Sequence, residues 1–292
     1  MMIKENCYLT DQQIQLFEIF GFLVRRNVFN REEIHKINEE FDHRLRSLKA
    51  EADPNNEPLA NNNWPNRNPH TPYIASLLED PRIYVPSEQL VGEDGIPIHS
   101  NANSYSISSS WHPDTEDSHL LMVKNVMYLQ PTSGDHGALR VIPGSHRNPL
   151  HQDLLRMGLD AAFRKHTKQS PKGMEFDMRG EDVASYIFSS QPGDLIMFNQ
   201  RTWHAAFGGY EDRRTCTFNF YQNPKSPEEK ASMRKLIEAI RSSANKNKKF
   251  LNKVGSQYDS WWLENPEKKP RRARWIKWLE DWGFVDAFRI ES

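Results

Sequence analysis

Cysteine is almost missing from this chain: Cys7 and Cys216 are its only two in 292 residues, and they stand far apart. That excludes a disulfide framework and a zinc ribbon, and it fits a reducing compartment such as the cytoplasm. Long apolar runs are missing too. No stretch approaches the roughly 18 apolar residues that a spanning helix needs. The N-terminus shows no apolar segment with a small-residue cleavage site, so neither a membrane partner nor a signal peptide is expected. Charge of one sign is also missing: 38 Lys and Arg face 39 Asp and Glu, for a net charge of −1. No global basic balance points to nucleic acid. What remains is 37% hydrophobic and 26% charged residues, enough to bury a core under a very polar surface. The length is near the upper limit for one core, and a single domain over residues 1–292 is expected.

Thr10 and Asp11 open a helix in which Ile14, Phe17 and Phe20 recur at helical spacing, with Gly21 just past its end. Phe22-Leu23-Val24 reads as a first short strand. Asn30 with Glu33 starts a second helix, whose stripe Ile34, Ile37, Phe41, Leu45 and Leu48 is expected to pack on a sheet. Residues 51–72 carry Pro54, Pro58, Pro65, Pro69 and Pro72 among asparagines. They read as one long loop, a lid or a plain surface loop, that holds Trp64 and Arg67. Ser104, Ser106, Ser108 and Ser110 alternate; on one extended strand they would share a face with His112. Residues 120–130 read as a largely buried strand, Gly134 to Gly137 as a turn, and Leu139 to Ile142 as the returning strand of a hairpin.

Residues 148–185 read as an insertion, with a helix from about Gln152 to Lys168. Gln191 to Asp194 turns into the buried strand Leu195 to Phe198, His204 follows, and Thr215 to Tyr221 alternates as a last strand. Ser226-Pro227-Glu228-Glu229 starts a helix running to about Ser242. A basic run from Lys268 to Arg274 precedes Trp275, Trp278, Leu279 and Trp282 on one helical face. That helix is expected to dock on the sheet rather than lie on lipid. The fold expected is mainly β with flanking helices, a jelly roll of cupin-like type. Its helices fall at 10–50 and 226–292, and its core at about 83–222.

The candidate chemistry starts at Ser110-Trp111-His112-Pro113-Asp114. In an extended strand residues i and i+2 point the same way. His112 and Asp114 would then supply two ligands of the 2-His-1-carboxylate triad that leaves open positions on non-haem Fe(II). Alone, such a pair is more often just a half-exposed strand His beside an Asp. Among the other histidines, His204 is the best third ligand. It follows a buried strand, and Ala205 and Ala206 leave room around it. The open positions would take a bidentate 2-oxo acid and O2. The far carboxylate of such an acid wants a guanidinium fork, and Arg213 or Arg214 could provide it. If Arg213 faces the site, so do Thr215, Thr217, Asn219 and Tyr221; if Arg214 does, Cys216, Phe218 and Phe220 accompany it. The polar set suits an anion better, so Arg213 is preferred, with Thr215 adding a hydroxyl. Either arginine could instead pair with Glu211 and Asp212.

From about Thr10 to Tyr221 the chain resembles the phytanoyl-CoA dioxygenase-like Fe(II)/2-oxoglutarate oxygenases. The residues that carry the resemblance are Phe20-Gly21-Phe22-Leu23-Val24, His112-Pro113-Asp114, the run from Gly137 through Ile142-Pro143-Gly144-Ser145-His146, Pro192-Gly193-Asp194, His204 and Arg213-Arg214. The resemblance implies a double-stranded β-helix with His112, Asp114 and His204 as iron ligands. It implies Arg213 or Arg214 at the 2-oxoglutarate carboxylate, and Ser145-His146 as a structural turn. It also implies a reaction: 2-oxoglutarate and O2 give succinate and CO2 while a substrate C–H is oxidised, usually to an alcohol. Related halogenases carry a small residue where Asp114 stands, so no halogenation is expected.

Ser110, Trp111, Asn219, Trp64 and Arg67 are candidate contacts to the substrate or to the ligands. A coenzyme A ester would favour a basic group such as Arg67, Arg164, Lys165, Lys168 and Lys172, but such a charge group is more often a solvated face. A small or medium-sized metabolite is preferred. A cupin-like non-oxidative enzyme is disfavoured because H-x-D stands where H-x-H is usual. A binding protein on the same fold predicts a missing ligand, and a zinc hydrolase has no use for the arginine.

Overall fold

The computed structural model describes residues 7–50, 61–106, 108–159, 179–208, 213–246, 256–264 and 270–287. The first helix, α1 (Asp11–Phe20), starts with a capping box between Thr10 and Gln13. It ends at Gly21 with φ 82°. A Cβ there would sit 2.5 Å from His146 Nδ1 and 2.6 Å from Thr202 Oγ1, so only glycine lets the chain pass so close. His146 also meets the Glu18 carbonyl through Nε2 at 3.1 Å. That contact holds α1 against the turn that carries His146. Then follow β1 (Phe22–Arg25) and α2 (Arg31–Ala50), the latter opened by reciprocal Asn30 and Glu33 bonds.

The rest of the order is β2 (Asn61–Pro65), α3 (Pro72–Ser76), α4 (Pro81–Val91), β3 (Ile96–Tyr105), β4 (Ser109–His112), β5 (Met122–Tyr128) and β6 (Leu139–Val141). Next come α5 (Leu150–Arg156), β7 (Tyr186–Ile187), β8 (Leu195–Asn199), β9 (His204–Ala206) and β10 (Arg213–Tyr221). The chain closes with α6 (Pro227–Lys246), α7 (Ser260–Leu263), α8 (Pro270–Asp281) and α9 (Phe284–Ala287). Two antiparallel sheets result. One has the order β1-β8-β5-β10-β3-β2 and the other β4-β9-β6-β7. This is the expected jelly roll with flanking helices.

Strand β10 shows how the sheet divides its environment. Cys216, Phe218 and Phe220 are fully buried and share a core with Ile37 and Phe41 of α2 and with Trp275 of α8. Trp275 meets Phe220 at 5.8 Å and Tyr84 of α4 at 6.1 Å between ring centroids, so the C-terminal tryptophans dock on the protein as expected. Arg271 and Arg272 pair with Glu88 and Glu79 beside them. The odd-numbered residues of β10 face the space between the two sheets. Cys7 and Cys216 are buried and form no disulfide. No helix among the described residues is long and apolar enough to cross a membrane.

Three local expectations need correction. Residues 61–65 do not lie in a loop: they form an edge strand on β3, with Trp64 opposite Ala102. An edge tolerates Pro65 because it asks for few ladder donors. Residues 51–60 lie outside the described residues. The β core also reaches beyond 83–222, since β1 and β2 both join the larger sheet. Finally, the helix expected from about Gln152 to Lys168 is interrupted: Leu150–Arg156 is helical, Met157 and Gly158 form a turn, and Leu159 is helical again; residues 160–178, with Arg164, Lys165, Lys168 and Lys172, lie outside the described residues.

Asp194 fixes the turn into β8. Its carboxylate accepts from Gln191 N at 3.0 Å, Asn27 N at 3.0 Å and Arg26 Nη1 at 2.6 Å. Burial pushes its pKa up, but these donors outweigh burial and hold it below the usual carboxylate range. The folded pKa is therefore below the unfolded one. The stability it contributes is full above about pH 4 and is lost as pH falls through the folded pKa. Asp194→Asn is expected to cost about 1–3 kcal/mol at pH 7. Urea midpoints should show the gap to wild type closing in acid; a gap that stays constant down to pH 2 would reject the account.

Candidate metal centre and its cavity

Strands β4 and β9 place His112 directly opposite His204, with ring centroids 4.4 Å apart. Strand β4 stops at His112. Asp114 therefore does not share a strand face with it, as simple alternation predicted. Instead the chain bends after Pro113, and the Asp114 N–H donates to the Gln200 carbonyl at 2.8 Å. That bond swings the carboxylate back to within 3.7 Å of His204 Nε2. One donor atom from each of His112, Asp114 and His204 falls within 4.8 Å of the others.

Both imidazoles are oriented by their own strands. His112 Nδ1 meets the Ser110 carbonyl at 2.7 Å and His204 Nδ1 the Thr202 carbonyl at 2.9 Å. An Nδ1–H bonded to a carbonyl leaves the Nε2 lone pair for a metal. Burial lowers the His204 pKa to about 3, partly offset by Asp114. Burial pushes Asp114 up, but Lys124, His204 and His112 pull it down to about 2. At neutral pH His204 is a neutral imidazole and Asp114 a carboxylate; with the His112 ring they make an N2O face suited to Fe(II) with positions left open.

A cavity of about 540 Å³ lies over this face between the sheets. At one end stands Arg213, 4% exposed, its Nη1 donating to the Gly137 carbonyl at 3.1 Å. Gly137 has φ +67°, and a Cβ on it would lie 2.9 Å from Arg213 Cδ and Nη1. Glycine is what lets the guanidinium sit there. Arg214 turns the other way, to Asp42 at 2.7 Å and Asn38 at 3.3 Å on α2.

A sequence model of the family described as "Phytanoyl-CoA dioxygenase (PhyH)" matches residues 17–215. The chain belongs to that family. Ectoine dioxygenase of Bordetella bronchiseptica is 24% identical over 221 residues, covering 68% of this chain and 70% of that protein. Among solved structures, HygX from Streptomyces hygroscopicus with nickel and 2-oxoglutarate bound superposes with a TM-score of 0.55 at 19% identity, covering 74% of this chain and 88% of HygX. The 2-oxoglutarate-dependent epimerase SnoN from nogalamycin biosynthesis gives 0.51 at 15% identity, covering 73% and 82%. At such identities the two structures speak for the shared fold.

In this member of the family, the cavity gathers some predicted residues and leaves others out. His112, Asp114, His204, Arg213, Thr215 and Asn219 line it. Ser110 contributes its carbonyl, not its hydroxyl. Trp111 faces the other side of its strand, buried with Trp203 and donating to the Gly180 carbonyl at 2.9 Å. Trp64 lies in the core against Phe41 at 4.7 Å. Arg67 is fully buried among backbone carbonyls. Neither of these last two lines the cavity. Ser108 and Ser109 do, whereas Ser104 and Ser110 do not. The chain crosses from one sheet to the other between Tyr105 and Ser109, which resets the alternation.

Lys124 is the main residue that sequence reading missed. Its Nζ lies 2.8 Å from Asp114 Oδ2 and 5.7 Å from the Phe198 ring centroid. The signal was present: Lys124 is the one formal charge between Leu120 and Leu129, in a strand otherwise fit for burial. A lone charge in such a run marks a polar cavity. His99, Asn101 and Asn103 of β3 and Gln200 after β8 also line the site. Burial lowers the His99 pKa to about 4, so it is neutral at pH 7.

Proposed function

We propose that this protein is a non-haem Fe(II)/2-oxoglutarate-dependent oxygenase that hydroxylates an unactivated C–H of a small or medium-sized metabolite, converting 2-oxoglutarate to succinate and CO2. The observation that carries the reading is the convergence of one ligand atom each from His112, Asp114 and His204, with a buried arginine lining the same cavity. Bound Fe(II) would supply the open positions at which 2-oxoglutarate and O2 react. The rest falls to the chain. His112, Asp114 and His204 would hold one face of the metal. Arg213, with the Thr215 hydroxyl beside it, would anchor the far carboxylate of 2-oxoglutarate and so fix which way the cosubstrate lies. Val126, Leu139 and Phe198 give the cavity an apolar wall that keeps water from the reacting carbon.

An oxygenase reaction agrees with the naming of ectoine dioxygenase, while SnoN, of the same fold, is named an epimerase. Asp114 occupies the position a halide would need, so halogenation is not part of the proposal. Neither nucleic acid nor membrane is a partner in this reading, which places the protein in the cytoplasm.

Anaerobic addition of Fe(II) and then 2-oxoglutarate to the apo-protein should give a weak visible charge-transfer band. In His112→Ala that band should vanish and 2-oxoglutarate turnover should fall to background. Full turnover in His112→Ala would reject the ligand set, and no band in wild type would reject the oxygenase reading.

A further inference from the structure

The cavity has a second built end, away from Arg213. Lys124 and Asn219 are direct cross-strand partners, and Lys124 also pairs with Phe198 on β8. Asn219 lies about 20 Å along β10 from Arg213, at about 3.3 Å per residue. Next to this pair are Gln200, His99 and Tyr221, all lining the cavity. The Tyr221 hydroxyl donates to Gln200 Oε1 at 3.1 Å. That bond fixes the Gln200 amide and leaves its Nε2 as a donor. Gln200 Nε2 and Asn219 Oδ1 are both buried and have no hydrogen-bond partner, in residues only 4% and 7% exposed. Buried amide atoms in native proteins are nearly always paired, so two unpaired atoms beside one lysine point to a missing ligand. The ligand must bring an acceptor to Gln200 and a donor to Asn219.

Charge names the acceptor. Asp114 is the only carboxylate lining the cavity among the described residues, against Lys124 and Arg213. This step rests on the Fe(II)/2-oxoglutarate reading. The metal's two charges and the two side-chain cations then face Asp114 and the two carboxylates of the cosubstrate. One positive charge is left over. Arg213 is the cation used by the cosubstrate, so the surplus lies at Lys124. Its ammonium has three donors, and Asp114 takes one.

We propose that Lys124, Gln200 and Asn219 form the primary-substrate subsite, and that the substrate is a small monocarboxylate bearing a hydroxyl or amino group. The carboxylate meets the Lys124 ammonium and the Gln200 Nε2–H, and the hydroxyl or amino hydrogen is donated to Asn219 Oδ1. An acyl chain would leave both amides unpaired and the lysine uncompensated.

The test uses the full chain with Fe(II) and 2-oxoglutarate under anaerobic conditions, and reads the shift of the visible band as a probe is titrated. The probes are 3-hydroxybutyrate, its uncharged amide, and butyrate. A band that never forms speaks against the oxygenase reading, not the subsite. Given the band, 3-hydroxybutyrate should perturb it with a half-saturation at least about tenfold lower than its amide, the scale of one charge-assisted hydrogen bond. Lys124→Met should erase that preference. Lys124 also touches Asp114, so Asn219→Leu serves as a second variant that leaves Lys124 and the three candidate ligands in place. It should erase the preference for 3-hydroxybutyrate over butyrate while keeping the preference for acid over amide. The subsite is overturned if no probe perturbs the band, if acid and amide act alike in wild type, or if Asn219→Leu keeps the hydroxyl preference.

Discussion

Arg213→Ala is expected to raise the KM for 2-oxoglutarate by about a hundredfold or more, whereas Arg214→Ala leaves it within about twofold. The two residues are adjacent in sequence and opposite in environment. Arg213 is buried in the cavity wall, braced by the Gly137 carbonyl and lying over the Tyr105 ring at 5.7 Å. A carboxylate brought to it would exchange water for a guanidinium fork in a place with little competing solvent. Truncating one partner of such a pair costs about 2–5 kcal/mol, and about 1.4 kcal/mol is tenfold in affinity. Arg214 is a quarter exposed and pairs with a half-exposed Asp42. Surface pairs of that kind contribute about 0–1 kcal/mol to stability and nothing to the cavity. Arg213→Lys keeps the charge and loses the fork, so its KM should fall between those of wild type and Arg213→Ala. Steady-state succinate release at varied 2-oxoglutarate measures all three. Equal effects of the two alanine variants would reject the assignment.

That pair of arginines also marks how far sequence could be read. Alternation along Arg213 to Tyr221 separated a polar face from an apolar one, and β10 divides the same way between cavity and helix-packed core. Such a pattern is legible because one strand within one sheet has a strict period of two. Ser104 to Ser110 failed for the complementary reason: the chain changes sheets after Tyr105, and periodicity does not carry across a break. The grouping of His112, Asp114 and His204 was legible from residue type and order, but its geometry was not. It depends on the Asp114 N–H reaching the Gln200 carbonyl, a contact between distant segments. Lys124 was hidden by its own neighbours, since Leu120 to Leu129 reads as a buried strand before it reads as anything else. The helix starts at Thr10, Asn30 and Ser226 were the most legible features, because a cap is decided within four residues.

Arg67, by sequence a candidate substrate contact, has a different task in the structure, with a large consequence for stability. Its Nε donates to the Gln257 carbonyl at 2.8 Å, Nη1 to the Pro97 carbonyl at 2.9 Å, and Nη2 to the Ile98 carbonyl at 2.5 Å. The guanidinium stacks over Tyr258 at 4.6 Å and Trp262 at 5.2 Å. The charge is therefore held by carbonyl dipoles and ring faces. Burial lowers its pKa to about 10, which leaves it ionised at pH 7. These bonds join the segment after β2, the start of β3 and the stretch leading into α7, three pieces far apart in sequence. Arg67→Met would keep much of the packing volume while taking this donor from the Gln257 and Pro97 carbonyls and leaving the Ile98 carbonyl with the Tyr258 hydroxyl, 2.7 Å away. A cost of about 3–5 kcal/mol is expected, a large share of the 5–15 kcal/mol typical of a domain. The unfolding temperature should fall by roughly 10 °C. Arg67→Lys should recover only part of the loss, because one ammonium cannot reproduce the planar fork. The KM for 2-oxoglutarate of the folded fraction should not move, since Arg67 does not line the cavity. A variant of normal stability with altered KM would return Arg67 to the site.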